Sequence, residues 1–148
     1  MNARFATAVH ILTLLEQAGG KPVKSERMAQ SINTNPSLVR RLLVTLAQAG
    51  ITTSQMGAGG GALLAREASA ITLLDVHRAV AEDSVFAMPR APSPYCMVGR
   101  NIQAALLETI DTATGLMLAE LARTRITDML ARVRRQESAR TADKQDPR

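Results

Sequence analysis

The sequence predicts a mainly α-helical protein with one small β-hairpin and a long helix towards its C-terminal side. Three observations lead there. Apolar residues recur every three or four positions over most of the chain, as they do along one face of a packed helix. One stretch, Ile51 to Ala65, breaks that rhythm with short apolar runs on either side of "MGAGGG". Hydrophobic residues fill 46% of 148 positions while aromatics fill 2%, so a core exists and must be built from Leu, Ile, Val, Ala and Met. That length suits one ordinary domain with an appended element.

Phe5, Val9, Leu12 and Leu15 share one helical face, and Gly19-Gly20 ends the run, which predicts a first helix over about residues 3–18. The stretch has no small-residue cleavage site after it and reads as a helix, not a signal peptide. Ser25 is placed to cap a short second helix with Met28 and Ile32 inward, and "NTN" at 33–35 breaks it. Asn35 then offers a cap oxygen and Pro36 suits a first helical turn. The third helix, "PSLVRRLLVTLAQAG", is expected to bury Leu38, Leu42 and Leu46, with Gly50 as its stop.

Two helices joined by a short turn form a helix-turn-helix pattern, with Ser37, Arg40 and Arg41 on the exposed face of the second. The pattern is weak alone, since plain amphipathic hairpins share it. "ITTSQ" at 51–55 and "ALLA" at 62–65 read as paired strands around a glycine-rich turn, the wing of a winged helix-turn-helix domain. "GAGGG" is not a nucleotide-phosphate loop: it lacks the GK[ST] ending and does not lead from a strand into a helix. Its glycines, Gly57, Gly59 and Gly60, suit a wing tip that approaches a DNA backbone closely.

Thr72 is placed to cap "LLDVHRAVAED", with Leu73, Val76 and Val80 on one face. Residues 84–98, with Pro89, Pro92 and Pro94, read as loop. From Arg100 onward Ile102, Leu106, Ile110, Ala113, Met117 and Leu121 recur at helical spacing, widened by Leu107, Thr114 and Leu118. So broad a stripe calls for a partner helix. A short segment from Ile126 to Val133 is expected to fold back across a dimer, and the polar tail "QESARTADKQDPR" is expected to be disordered. The resulting division is residues 1–83 for the winged helix-turn-helix, 84–99 for a sensor-type loop, 100–135 for dimerisation helices and 136–148 for the tail.

Charge is unevenly placed. Residues 1–60 hold six basic groups (Arg4, Lys21, Lys24, Arg27, Arg40, Arg41) against the acids Glu16 and Glu26, while the rest of the chain holds twelve basic and eleven acidic groups. A basic surface at one end suggests a docked polyanion, and Lys24 at the entry to the second helix belongs to it. No apolar run approaches the ~20 residues of a membrane span. One cysteine permits no internal disulfide, in keeping with a cytoplasmic protein.

The stretch "SLVRRLLVTLAQAGITTSQMGAGGGALLA", followed by "ITLLDVHRAV" and "CMVGRNI", resembles the IscR/NsrR-type winged-helix regulators, the Rrf-type family, from about Arg4 to Leu130. The resemblance implies a homodimeric, sequence-specific DNA-binding regulator, usually a repressor, that meets a pseudo-palindromic double-stranded operator. It places base contacts on Ser37, Arg40 and Arg41. An Arg pair there, where relatives often have acidic or amide residues, implies a more G-rich site, since Arg reads guanine through a bidentate contact. Gripping phosphate is the plainer alternative for both. The wing-tip position where relatives often carry Arg falls on Met56, between Gln55 and Gly57, which puts minor-groove reading in doubt.

Many relatives hold an iron–sulfur cluster on three loop cysteines and a fourth ligand. Here the loop "SVFAMPRAPSPY" has neither Cys nor His, and Cys96 resembles the third position only. No cofactor or metal is therefore expected. Cys96 remains open between an oxidant sensor, activated by the following helix N-terminus and by Arg90 or Arg100, and a small packed hydrophobe. His10 on the first helix is open between a cross-dimer partner of Cys96 and an interface histidine. No nucleophile–base pair suggests an enzyme. The expectation is a cytoplasmic, DNA-binding homodimer, redox-responsive through Cys96; the rival is a dimeric adaptor whose winged-helix domain no longer binds DNA.

Overall fold

The computed structural model describes residues 3–81, 86, 88 and 90–145. Helix α1 (Arg4–Gln17) lies at the centre and buries Ala8, Val9, Ile11, Leu12 and Leu15, with Phe5 packed at the edge of the same core. Helix α2 (Ser25–Ile32) turns its buried Met28 and partly buried Ile32 inward as expected.

The turn between α2 and α3 (Pro36–Gln48) follows from three polar residues. Asn33 closes α2 in the left-handed region at φ 58°, a conformation Asn adopts more readily than most residues. The Asn35 side chain accepts from the Ser37 amide at 2.8 Å, and Pro36 opens the helix. Ser25 is not the cap of α2. Lys24 is the extended residue before the helix, Ser25 is already helical, and its hydroxyl is engaged elsewhere. The buried stripe of α3 is Val39, Leu42 and Leu46, and Leu38 is only partly buried. At about 100° per residue, Leu38 falls well to the side of the arc shared by the other three.

The wing consists of β1 (Thr52–Gln55) and β2 (Gly61–Leu64), antiparallel, with Thr52 opposite Leu64 and Gln55 opposite Gly61. Val23, from the α1–α2 linker, joins as a third edge: its amide donates to the Ala62 carbonyl at 3.0 Å, and the Ala62 amide returns the bond at 2.8 Å. Gly61 is needed there, since a Cβ would lie 2.6 Å from the Val23 carbonyl oxygen.

A 3₁₀ turn (Ala68–Ala70) leads into α4 (Leu73–Val80). Its cap is reciprocal: the Asp75 amide donates to the Thr72 hydroxyl and the Thr72 amide donates to the Asp75 carboxylate. Val76 and Val80 are buried and Leu73 partly so, while Glu82 and Asp83, expected to extend this helix, lie outside the described residues. Among the loop residues expected over 84–98, Ser84, Val85, Ala87 and Pro89 also lie outside them.

Helix α5 (Met97–Arg123) starts three residues before the expected Arg100 and runs 27 residues, about 40 Å, with none of them buried. Helix α6 (Ile126–Gln145) corrects two expectations. Its start packs onto α1 of its own chain, with Ile126 and Leu130 buried, where a fold-back across a dimer was expected. Residues 136–145, expected to be disordered, continue the same helix. Their Arg, Glu, Gln and Ala are good helix formers, and the Ser138 and Thr141 hydroxyls bond back to the Arg134 and Glu137 carbonyls instead of breaking the turn.

Candidate nucleic-acid interface

Helix α3 is amphipathic, and its outward face is set by arithmetic. Ser37, Arg40, Arg41 and Val44 fall within about a 100° arc opposite Val39, Leu42 and Leu46. All four are exposed. Val44, 58% exposed, is an apolar side chain on a polar face and had no sequence signal, because its residue type reads as core.

The two arginines differ in a way their adjacency did not foretell. Arg40 reaches across to the first turn of α2, where its Nε donates to the Ser25 hydroxyl at 3.1 Å and its guanidinium pairs with the Glu26 carboxylate. Ser25 in turn donates to Glu26 at 3.3 Å. The Glu26 amide, then Arg40, hold that carboxyl below its ordinary range. No hydrogen bond or ion pair among the described residues holds the Arg41 side chain. The carbonyl of Arg41 accepts from Thr45 at 3.1 Å, which involves the backbone only.

A cleft of about 270 Å³ separates α3 from the wing, lined by Ser25, Arg40, Val44, Thr53 and Ser54 among others. Beyond it the wing tip is exposed from Gln55 to Gly59, with Met56 88% exposed at its apex. Gly57 takes φ 100°, which turns the tip. Gly60, expected at the DNA-facing surface, is instead buried: its amide donates to the Gly57 carbonyl, and a Cβ would meet the Gln55 carbonyl oxygen at 2.1 Å. It closes the turn. Lys24 is exposed at the start of α2, beside Ser25.

The second candidate region is the loop-to-helix junction. Cys96 is the N-cap residue of α5 and is exposed. The Gly99 amide, then the Val98 amide, hold its thiol below the ordinary range; Arg90 and Arg100 are not part of that effect. Arg100 instead donates to the Pro94 carbonyl at 3.4 Å, and a Cβ on Gly99 would meet the Ser93 carbonyl oxygen at 2.4 Å, so the loop lies tight on the helix.

His10 is elsewhere. It shares a hydrogen bond of 3.0 Å with Ser31 and lines an apolar groove of about 620 Å³ with Phe5, Val9, Leu73, Met129 and Leu130. Leu73 is bonded to Thr124 at the far end of α5 from Cys96, roughly 40 Å along the helix. One protomer does not bring His10 and Cys96 together.

A helix-turn-helix with an adjoining wing, an exposed basic reading face and a long trailing helix defines a winged-helix DNA-binding protein. Comparison with known proteins carries this further. The model of the Rrf2 family, described as an iron-dependent transcriptional regulator, matches residues 1–132, and the chain belongs to that family. It is 40% identical over 131 residues to YwnA of Bacillus subtilis (strain 168), named as an HTH-type transcriptional regulator, covering 88% of this chain and 96% of that one. A crystal structure described as that of a DNA-binding protein superposes with TM-score 0.70 at 39% identity, over 86% of this chain and 98% of its own. IscR of T. potens shares the fold, with TM-score 0.66 at 21% identity over 90% and 87% of the two chains. The protein is a DNA-binding transcriptional regulator.

The family's description raises an iron centre, and the residues do not fit one held by thiolates, which takes about four. The chain has one cysteine. Among the described residues no group of three His, Cys, Asp or Glu side chains is placed to hold a metal ion. No helix among them is long and apolar enough to cross a membrane.

Proposed function

We propose that the protein is a cytoplasmic repressor that binds a pseudo-palindromic operator as a homodimer through α5, acts by binding and not by catalysis, and uses no iron–sulfur cluster. The observation that carries the DNA-reading part is the Arg41 side chain, which has no partner among the described residues, on the outward face of α3 between Ser37 and Val44. Arg41 supplies a bidentate guanine contact, and Val44 offers an apolar surface for a thymine methyl. Gln55, Met56, Gly57 and Gly59 approach the backbone beside it, and Lys24 grips phosphate. Dimerisation is supported by the apolar side chains that α5 leaves exposed, Ile102, Leu106, Leu107 and Leu116.

A redox response at Cys96 is the finer reading, favoured by the exposed thiol facing the first amides of α5. A peroxide is the oxidant: the thiolate sulfur attacks one peroxide oxygen, the S–O bond forms as O–O breaks, and hydroxide leaves. The sulfenic acid is then reduced by a cellular thiol.

Selection of bound sites from random duplex DNA tests the proposal. The expected product is a two-fold symmetric, G-containing site with half-sites about 34 Å apart, bound with an affinity that falls steeply with salt. Absence of any enriched site, with no salt-dependent binding to any duplex, overturns it.

A further inference from the structure

Glu26 is out of keeping with its surroundings. It stands on the basic side of the molecule and neutralises Arg40 on the very face that α3 offers to a polyanion. The pair is more than half exposed on both sides, 56% for Arg40 and 57% for Glu26, and exposed pairs add little to stability. Holding α2 to α3 is therefore a poor account of it; Met28, Val39 and Leu42 do that from within. A carboxylate beside phosphates also costs affinity, both through its own charge and through the cation it withdraws.

The geometry limits what Arg40 can do. A guanidinium has five N–H donors in a fixed plane. Here Nε is committed to Ser25 and one Nη to Glu26, so the plane is fixed against α2 and only the opposite edge stays open. A cation so held cannot follow phosphates on an arbitrary duplex, whereas a free one can. It still meets a duplex whose docking is fixed by Arg41.

We propose that Glu26 is a specificity-setting residue: by clamping Arg40 it suppresses binding to non-operator DNA and so sets the ratio of specific to non-specific affinity. Glu26 acts through Arg40 as a positioning residue. The inference rests on reading α3 as the DNA-facing helix.

The test uses the full-length protein, its selected operator and a random duplex of equal length, with affinity measured by fluorescence anisotropy across a salt series. Glu26→Gln is expected to raise random-duplex affinity about five-fold and to steepen its salt dependence by about one per half-site, as one more phosphate is neutralised. Operator affinity changes less, so the specificity ratio falls. In the Arg40→Ala background Glu26→Gln is expected to gain much less than it does in the parent, since only the carboxylate's own charge is then removed. Unchanged or weaker random-duplex binding by Glu26→Gln overturns the inference. So does an equal gain in the Arg40→Ala background, which would mean that Glu26 acts by its own charge. If the parent protein selects no site and binds no duplex, the DNA-facing reading of α3 and this inference fall together; if the parent binds its operator, only the role of Glu26 is at stake.

Discussion

The amide of Leu73 donates to the carbonyl of Thr124 at 2.8 Å, so the first turn of α4 and the end of α5 form one hydrogen-bonded unit. The Ile126 amide donates to the Ile71 carbonyl at 3.0 Å beside it, and Thr72 bridges to Arg125. The long helix is thus tied to the DNA-binding domain by backbone bonds as well as by the connecting chain. Helix α4, bonded to the end of α5 in this way, packs in turn on α3.

Ile126 anchors that junction and is fully buried. Ile126→Ala is expected to cost about 2–5 kcal/mol, against about 0.5–1.5 kcal/mol for Ile126→Val. Urea denaturation followed by circular dichroism measures both. Equal, small losses would show that the junction does not contribute to the cooperative core.

The Asp75 carboxyl gives a pH dependence of known sign. Burial pushes it up, but donation from the Thr72 amide and hydroxyl, with Arg66 and Arg78 near, outweighs this and holds it below the unfolded value of 3.8. A depressed folded value means the contribution is fully present above 3.8 and is lost as pH falls through the lower, folded value. Asp75→Asn keeps an oxygen for the Thr72 amide but loses the charge, and is expected to be about 0.3–1 kcal/mol less stable at neutral pH, the worth of an acidic group in a helix's first turn. That difference should shrink once the parent is acidified below 3.8. A gap that stayed constant with pH would remove the charge from the account.

The α5 stripe makes a separable prediction about assembly. Leu106 and Leu107 are exposed in the protomer, so replacing both by Glu spares the fold while placing charge in the proposed helix–helix contact. The double variant is expected to keep its helical circular dichroism, sediment as a monomer at micromolar concentration, and lose operator binding. An unaltered dimer would place the interface elsewhere.

Cys96→Ser isolates the thiol. The variant is expected to bind operator DNA as the parent does and to ignore peroxide, while the parent loses affinity reversibly and regains it with a thiol reductant. Identical responses from the two proteins would end the sensor reading. The purified parent is expected to be colourless, and stoichiometric iron with visible charge-transfer absorbance would reverse the assignment of no cluster.

Most of the architecture was legible because its signals are local. Asn35-Pro36 marks a helix start, Thr72 with Asp75 writes its own cap, and "MGAGGG" can only be a turn. Errors arose where two local rules compete. Leu38 and Val39 are both apolar, and only the tilt of α3 on its neighbours decides which is buried. In the tail, low hydrophobicity argued for disorder while Arg, Glu and Ala argued for helix, and propensity prevailed. The binding face was legible as a row of side chains but not as a circuit. Arg40 meets Glu26, 14 positions away on another helix, through a tertiary contact that neither residue's neighbours announce.

The bare stripe of α5 also bears on how the regulator is dosed. If two chains must meet before an operator is held, occupancy at low abundance follows the square of chain concentration, since folded assembly and concentration are linked by mass action. A cell that halves its supply of this protein would then lose about three quarters of the bound form. That curvature gives a threshold where a monomeric binder would give a graded response.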